Sequence, residues 1–344
     1  ELLALARTFR PNVVTLDVNM PVMDGLTCLG RLMVETPCPV VMVSSQTVEG
    51  AEATMEALRL GAVDFVPKPE GAISLGIDRV RPVLVEKVRM AARVRLRSTL
   101  RLADRVRHQI GQAARPHDRP DPPRPARPAQ GLAQEPAQKG PAQAPYAPAL
   151  PDPSRSGLVL LGASTGGPRA VEMILSALPH DFPWPVLVAQ HMPATFTGIF
   201  ARRLQQHCAL SVVEAARAMP LRTGYVYIGR GDADLVVARR PSGLFALPVP
   251  ASQAYRWHPS VDRLVTSALD HVGARRLLGV LVTGMGDDGA ASMARLRAEG
   301  GRTIAEDEST AIVWGMPGEL VKRNGADQVL ALPDIGPALS KAVR

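Results

Sequence analysis

The sequence predicts an α/β protein that contains two mostly parallel, doubly wound sheets. Short apolar runs alternate with helix-like stretches in the first part of the chain and again in the last part, a pattern typical of parallel strands joined by helices. Between these parts, residues 98–156 are dense in Pro, Ala and Arg and poor in large apolar side chains. Such a segment cannot bury enough surface to offset its ordering entropy, which favours a disordered linker. We therefore expect domains at residues 1–97 and 157–344.

Composition narrows the classes of function. The 344 residues carry a formal net charge of +8, which could suit an anionic partner. Only 4% of the residues are aromatic and none interleaves with the basic run as base stacking requires, so we expect no nucleic-acid partner. The three cysteines form no CxxC pair, which fits a reducing, cytoplasmic location. No apolar run is long enough for direct membrane insertion.

The first domain begins with a helix-like segment, residues 1–10, that ends before Pro11. Three short apolar strands follow, with a helix between successive strands and an Arg-rich helix from Asp78 onwards. The predicted strands are 13–16, 40–43 and 63–66, and the intervening helices are 26–34 and 52–60. This βαβαβ order indicates a parallel sheet with helices on its faces.

A polar residue follows each of these strands at its carboxyl end. Asp17, Ser44 and Lys68 occupy these positions. Ligands of open α/β sheets bind along that edge, where a carboxylate could attack a phosphoryl group while hydroxyl and ammonium donors hold its oxygens. Taken singly, each of the three residues could equally be an ordinary polar group of a loop.

The segments LDVNMPVMDG, VMVSS and DFVPKP together resemble the receiver domain of bacterial response regulators, which has a flavodoxin-like fold. The resemblance implies that Asp17 accepts the phosphoryl group, that Ser44 and Phe65 are switch residues and that Lys68 binds the phosphate. It also implies magnesium as the cofactor of phosphorylation, with Asp17 and the backbone of Asn19 as ligands. The chain starts at the helix before the Asp17 strand and lacks the earlier strand whose acidic pair helps receivers bind magnesium, so we expect an N-terminally truncated receiver with an incomplete magnesium site.

The second domain opens with GLVLLGASTGGPRA, residues 157–170, which predicts a buried strand, a tight turn and a helix. Ser164 lies in the turn, where free N–H groups and the helix dipole favour negative charge. Three interpretations remain open for this stretch alone: a phosphate-binding turn, a nucleophilic serine or a helix cap. The turn lacks both the GxGxxG spacing and the Gly-Lys-Ser/Thr ending of known phosphate-binding loops.

Short strands and helices continue to the end of the chain. The predicted strands are 183–190, 210–214, 225–228, 235–238, 243–247, 277–282 and 303–305, and the predicted helices are 196–206, 259–271, 290–298 and 316–322.

Two of these strands end at residues that could serve Ser164. His191 follows one strand, and Asp287 and Asp288 follow another. The carboxyl ends of parallel strands share one edge of a doubly wound sheet, so these side chains can meet. A serine hydroxyl becomes a useful nucleophile when a histidine takes its proton, and the histidine needs a carboxylate to fix its tautomer. This arrangement favours the nucleophile interpretation of Ser164.

The segments GASTGG, QHMP, PSVD, TGMGDDG and AEDESTAIVWGMP resemble the protein-glutamate methylesterases of bacterial chemotaxis, the CheB family, over residues 157 to about 340. The resemblance implies a Rossmann-like hydrolase domain with Ser164 as nucleophile, His191 as general base and Asp288 as the orienting acid. It makes the backbone N–H groups of Thr165 and Met285 candidates for the oxyanion hole. Asp287 falls at a variable position of the motif.

The same resemblance implies a function and its partners. The reaction is hydrolysis of glutamate methyl esters on the cytoplasmic domains of methyl-accepting chemoreceptors, with glutamine deamidation as a second activity and no cofactor for the hydrolase. The chemotaxis histidine kinase is the implied phosphodonor, and the implied location is cytoplasmic, at receptor arrays. The unphosphorylated receiver is expected to cover the Ser164 edge, although the truncated receiver should make this chain's esterase activity insensitive to a phosphodonor. The alternative is a non-enzymatic response regulator whose second domain binds a ligand.

Overall fold

The computed structural model describes residues 1–45, 47–69, 73–94 and 157–343, without the side chains of residues 73–77 and 79. The predicted linker, residues 98–156, lies outside the described residues. Among the described helices, none combines the length and apolar character needed to cross a membrane.

The N-terminal unit is a three-stranded parallel sheet in the order β1-β2-β3. Its strands are β1 (Val14–Asp17), β2 (Val40–Ser44) and β3 (Asp64–Pro67), and its helices are α1 (Leu2–Phe9), α2 (Gly25–Glu35), α3 (Val48–Leu60) and α4 (Ile73–Ala91). The side chain of Asp24 begins α2 by accepting a hydrogen bond from the N–H of Thr27, as N-terminal caps do. The predicted βαβαβ order is confirmed, and the parallel pairing brings the carboxyl ends of the three strands to one edge.

The C-terminal unit is built on a seven-stranded sheet in which every neighbouring pair is parallel. The strands of the unit are β4 (Leu158–Ala163), β5 (Val186–Gln190), β6 (Ser211–Ala215), β7 (Met219–Pro220), β8 (Tyr225–Gly229), β9 (Ala233–Arg240), β10 (Gly243–Pro250), β11 (Leu277–Leu281), β12 (Arg302–Glu306) and β13 (Gln328–Leu330). The helices are α5 (Gly167–Ser176), α6 (Ala194–His207), α7 (Val261–Val272), α8 (Ala290–Ala298), α9 (Met316–Lys322) and α10 (Leu332–Ala342). The large sheet runs β13-β12-β11-β4-β5-β8-β6, and β7-β10-β9 form a separate antiparallel sheet.

The order of strands locates the functional edge. The chain leaves β4 towards β5 on one side and later returns as β11 on the other side of β4. All three strands are buried along their whole length, which accounts for their continuous apolar sequences. Open α/β sheets bind ligands beyond the carboxyl ends of their strands where the order reverses, and the three strand ends here precede Ser164, His191 and Thr283.

The structure corrects several predicted boundaries. The strand predicted at 183–190 begins at Val186, because Pro183 and Pro185 lack the N–H group that a central strand donates. The strands β7 and β13 and the helix α10 were not predicted, since β7 and β13 are too short to show a period and α10 contains a proline, Pro337.

Candidate active site

Ser164 lies on a tight turn between β4 and α5. Its backbone N–H donates to the carbonyl oxygen of Thr283 at 3.0 Å, and its own carbonyl accepts from the N–H of Gly167 at 2.8 Å. The side-chain amide of Gln190 donates a further hydrogen bond to that carbonyl at 2.9 Å. Gly166 has a φ of 77°, a left-handed conformation that a residue with a side chain rarely adopts. Three hydrogen bonds therefore fix the backbone of Ser164.

His191 follows β5 and is fixed beside the serine turn. Its backbone N–H donates to the carbonyl oxygen of Ala163 at 3.0 Å. The side chain is only 6% exposed, and its Nε2 lies 2.8 Å from Oδ2 of Asp288. The other ring nitrogen, Nδ1, is buried and has no hydrogen-bond partner in the described part of the chain. Because the carboxylate can only accept, this pairing places the ring proton on Nε2 and leaves the lone pair on Nδ1.

Asp288 is held by three groups besides the histidine. Ser260 Oγ donates to Oδ1 at 3.0 Å, and the backbone N–H groups of Val261 and Asp262 donate at 2.7 and 3.0 Å. These last two N–H groups begin α7, so the carboxylate also lies at the positive end of a helix dipole. Ser260 caps the same helix by accepting a hydrogen bond from the N–H of Arg263.

The contacts of Asp288 keep it ionised. Burial acts to raise the pKa of this carboxyl group, but the hydrogen bonds from His191 and from the backbone of Asp262 and Val261 outweigh burial and leave the pKa below its ordinary value. A carboxylate that stays charged can fix the tautomer of His191 and stabilise the imidazolium that forms when the ring accepts a proton.

The structure joins His191 to Asp288 but shows no hydrogen bond between Ser164 and His191 among the described residues. Ser164 instead packs closely against the segment that follows β11, because a Cβ atom placed on Gly284 would lie 2.9 Å from the Cβ atom of Ser164. Catalytic hydrogen bonds in unliganded sites are often long and shorten when substrate binds. The three residues share one edge, and the serine remains a predicted nucleophile.

The predicted oxyanion-hole residues flank Ser164. Thr165 follows it directly, and Met285 lies in the segment packed against it; both are buried, at 4% and 7% exposure. No hydrogen bond from the backbone N–H of either residue is found within the described ranges. Two unused N–H groups beside a serine are what stabilisation of an oxyanion requires.

Trp257 covers the histidine and was not predicted as a site residue. The indole ring stacks on the imidazole of His191 with ring centroids 5.7 Å apart and an interplanar angle of 15°. The guanidinium of Arg256 lies 4.9 Å from the centroid of the same indole and pairs with Glu86 of α4 at 3.1 Å. Only proximity in the sequence to PSVD could have suggested a role for Trp257, since its position over His191 depends on tertiary structure.

The N-terminal unit contacts the serine turn directly. The hydroxyl of Thr165 donates to Oδ2 of Asp64 in β3 at 2.5 Å, and Lys87 of α4 pairs with the other oxygen of that carboxylate at 2.9 Å. The next residue, Phe65, packs against Phe196 of α6 with ring centroids 4.5 Å apart. The face of the N-terminal unit that carries β3 therefore lies on the edge that carries Ser164.

The predicted phosphorylation site is partly assembled. Lys68 Nζ lies 2.6 Å from Oδ2 of Asp17, and the backbone N–H of Asn19 donates to Oδ1 of Asp17 at 3.2 Å. Ser44 does not join them, because its buried hydroxyl donates to the carbonyl oxygen of Gly50 at 2.9 Å. Over the ranges that the structure describes, no three His, Cys, Asp or Glu side chains are grouped as a protein-held metal site would need.

The edge of one parallel sheet carries an aspartate–lysine pair, and the edge of the second sheet carries a buried histidine–aspartate pair beside a serine. Together these two sites define a response regulator with a hydrolase output domain. Comparison with known families agrees. The model of the response regulator receiver domain matches residues 1–76, and that of CheB methylesterase matches residues 159–339. The chain belongs to the CheB methylesterase family.

Individual relatives agree with this assignment. The chain is 57% identical over 339 residues to a protein-glutamate methylesterase/protein-glutamine glutaminase of Rhodopseudomonas palustris, covering 98% of this chain and 87% of the relative. A protein of the same name from Rhodospirillum rubrum is 50% identical, covering 96% of this chain and 83% of the relative. The crystal structure of the Thermotoga maritima CheB methylesterase catalytic domain superposes with a TM-score of 0.53 at 35% identity, over 54% of this chain and 98% of that one.

Proposed function

We propose that this chain is a serine esterase that hydrolyses glutamate methyl esters on the cytoplasmic domains of chemoreceptors, and that it deamidates glutamine side chains there. The observation that carries the proposal is the buried His191–Asp288 pair, whose side chains lie 2.8 Å apart. His191 keeps its ring nitrogen Nδ1 unpaired among the described residues, and it follows the strand that pairs with the strand before Ser164. The names of the relatives support the substrate class. We propose domains at residues 1–97 and 157–344, joined by a linker at 98–156.

The proposed reaction begins with attack of Ser164 Oγ on the ester carbonyl. His191 Nδ1 takes the hydroxyl proton, and Asp288 stabilises the resulting imidazolium. The backbone N–H groups of Thr165 and Met285 hold the negative oxygen of the tetrahedral intermediate. The imidazolium then protonates the departing methoxide, which leaves as methanol, and the acyl group remains on Ser164.

Water completes the cycle. His191 takes a proton from water as the water attacks the acyl-enzyme, and the second intermediate breaks down to the glutamate carboxylate and free Ser164. With a glutamine side chain the same steps release ammonia in place of methanol. The serine, the histidine and the aspartate supply nucleophile, base and charge stabilisation, so the proposal assigns no cofactor to the hydrolase.

We further propose that the receiver controls access to this site. Its contacts Asp64–Thr165 and Phe65–Phe196 support a resting state in which the N-terminal unit covers the serine turn. In a receiver whose magnesium site is complete, Asp17 would accept a phosphoryl group from the chemotaxis histidine kinase, and Lys68 would hold the phosphate oxygens. Magnesium would neutralise phosphate charge there, bound by the Asp17 carboxylate and the carbonyl of Asn19. This role implies a cytoplasmic location at receptor arrays.

The test is methanol release from methylated receptor fragments by the full chain and by Ser164→Ala. We expect the serine variant to lose essentially all activity. As a matched control, Ser176→Ala removes an exposed serine at the end of α5 whose hydroxyl donates to the carbonyl of Glu172, and it should retain full activity. Equal methanol release by the full chain and by Ser164→Ala would contradict the proposal.

A further inference from the structure

Glu306 is a fully buried carboxyl group that the proposed reaction does not use. It ends β12 at 0% exposure. Its Oε2 accepts a hydrogen bond from the backbone N–H of Thr283 at 2.7 Å, and its Oε1 accepts from the hydroxyl of Thr310 at 3.1 Å. Among the described residues no lysine or arginine pairs with it. Burying a carboxyl group without a cationic partner costs free energy, which indicates that Glu306 has a role besides packing.

Thr283, the residue that Glu306 holds, touches both residues of the serine turn. The carbonyl oxygen of Thr283 accepts from the N–H of Ser164 at 3.0 Å. Its hydroxyl donates to the carbonyl oxygen of Thr165 at 2.9 Å and accepts from the N–H of Val313 at 3.0 Å. The N–H, the carbonyl and the hydroxyl of Thr283 are therefore all engaged, and the residue is buried at 1% exposure.

The backbone that leaves Thr283 leads directly to the oxyanion-hole candidate. Gly284 donates its N–H to the carbonyl oxygen of Val313 at 3.0 Å, and its own carbonyl accepts from the N–H groups of Gly315 and Met316. The N–H of Met285 follows. Since Ser164 packs against Gly284 with almost no free space, a shift at Thr283 would move the nucleophile and Met285 relative to each other.

We propose that Glu306 is a positioning residue for the esterase reaction: by accepting the N–H of Thr283, it fixes residues 283–285 against the serine turn, so that the N–H groups of Met285 and Thr165 converge on one point. This proposal rests on the proposed function. Donors stabilise an oxyanion only when they are already in place, because reorganising them during the reaction would cost part of the gain.

The charge of Glu306 bears on the same site. Burial raises the pKa of Glu306 to about 7, and the neighbouring carboxylate of Asp307 adds to the increase, whereas the hydrogen bonds from Thr283 and Thr310 oppose it. Arg93, Arg169 and Glu308 line the same pocket as Glu306. The Asp64–Lys87 pair lies across Thr165, and the His191–Asp288 pair lies at the serine edge. A neutral Glu306 holds Thr283 without placing negative charge behind the oxyanion.

Two substitutions separate position from charge. Glu306→Ala leaves the N–H of Thr283 without an acceptor, so we expect kcat to fall about 10- to 100-fold with KM changed less than about twofold, because oxyanion contacts act in the transition state. Glu306→Gln keeps an acceptor for Thr283 and can meet Thr310 with its amide, so kcat at pH 6 should stay within about threefold of the unmodified chain. Glu214→Ala, which removes a carboxylate on the outer strand β6, is the matched control with unchanged kcat.

Two readouts distinguish positioning from a general loss of stability. The ratio of kcat for the unmodified chain to kcat for Glu306→Gln should fall between pH 6 and pH 8.5, since Glu306 ionises in this range, glutamine does not, and all other residues are common to both proteins. Hydrogen exchange of residues 283–285 should be about tenfold faster in Glu306→Ala, with exchange in α7 unchanged.

A kcat for Glu306→Ala within twofold of the unmodified chain, or a pH-independent ratio together with unchanged exchange at 283–285, would overturn the proposal. If Glu306→Ala does not fold, the pH dependence of the kcat ratio between the unmodified chain and Glu306→Gln tests the proposal. If the unmodified chain releases no methanol, the proposed function fails, and the exchange measurement then decides the positioning role by itself.

Discussion

The hydroxyl of Thr165 donates a hydrogen bond to the carboxylate of Asp64, joining the residue after the proposed nucleophile to the third strand of the receiver at 2.5 Å. Asp64 is 6% exposed and has Lys87 on its other oxygen. The receiver thus contacts the edge that carries Ser164 through a charged carboxylate. Water can replace the hydrogen bond of this carboxylate to Thr165 when the two domains separate.

Weakening this contact should activate the enzyme. In Asp64→Asn the carboxylate that accepts from Thr165 and pairs with Lys87 becomes a neutral amide, so we expect methanol release to rise several-fold at fixed enzyme concentration, since charge-assisted hydrogen bonds are stronger than neutral ones. Glu52→Gln, an exposed position on α3, is the matched control and should leave the rate unchanged. An Asp64→Asn variant that folds but is no faster than the unmodified chain would contradict a covering role for this contact.

Asp288 and its neighbour offer a comparison within one turn. Asp288→Asn removes the charge that orients His191, and by analogy with other triads we expect kcat to fall by about 10³- to 10⁴-fold. The side chain of Asp287 is 70% exposed and, among the described residues, its ion-pair partner is Arg323 at 3.7 Å, so Asp287→Asn should retain kcat within about twofold. Steady-state kinetics on both variants is the measurement. Similar losses in the two would show that Asp288 has no special role.

The residues of the candidate site divide into those that a sequence can locate and those that need the tertiary structure. Ser164, His191 and the neighbouring pair Asp287 and Asp288 could be predicted because each follows a buried strand, and parallel strands bring their carboxyl ends together whatever their distance along the chain. The family resemblance then selected Asp288. Trp257 and Ser260 come from the connection between the antiparallel sheet and α7, where no periodicity fixes a direction. Glu306 lies in a segment with three consecutive acidic residues, and the sequence does not show which of them is buried.

The residues that form the contact between the two domains were harder still to predict from the sequence. Asp64 and Thr165 are separated by 101 positions, and an acidic residue before Phe65 is as readily interpreted as a polar start of a strand. The pairing of Lys68 with Asp17 was expected from the edge that they share, whereas Ser44 was expected there and instead bonds to Gly50. A hydroxyl can rotate between a helix carbonyl and a ligand, so its position depends on what occupies the site.

The effect of a phosphodonor on methanol release can be compared with the effect of Asp64→Asn. The described residues place a single carboxylate, Asp17, where magnesium would bind, and Mg²⁺ prefers six oxygen ligands in a near-octahedral arrangement. We therefore expect acetyl phosphate with magnesium to raise methanol release by the unmodified chain less than about twofold, while Asp64→Asn is already active without it. Asp17→Asn is the control for a direct effect of the phosphodonor. A several-fold increase that is absent from Asp17→Asn would contradict this prediction and establish phosphorylation at Asp17.

The stability of the C-terminal domain should depend on pH through Glu306. Burial raises the pKa of this carboxyl group from 4.5 to about 7, so between these values the folded chain holds a proton that the unfolded chain has lost. The free energy of unfolding therefore decreases as the pH rises from about 4.5 to about 7, by on the order of 3 kcal/mol, and this contribution is constant above that range. Glu306→Gln has no such proton and should lack this decrease.

Denaturant unfolding of the unmodified chain and of Glu306→Gln, at pH 5 and at pH 8, measures the difference. All three tryptophans, Trp184, Trp257 and Trp314, belong to the C-terminal domain, so their fluorescence follows the unfolding of that domain alone. Asp288, whose pKa is lowered, contributes stability that is lost only under more acidic conditions, and it contributes equally to both proteins. The glutamine variant should gain stability relative to the unmodified chain as the pH rises from 5 to 8. A difference that does not change between these two pH values would mean that Glu306 titrates normally and is not buried as the structure describes.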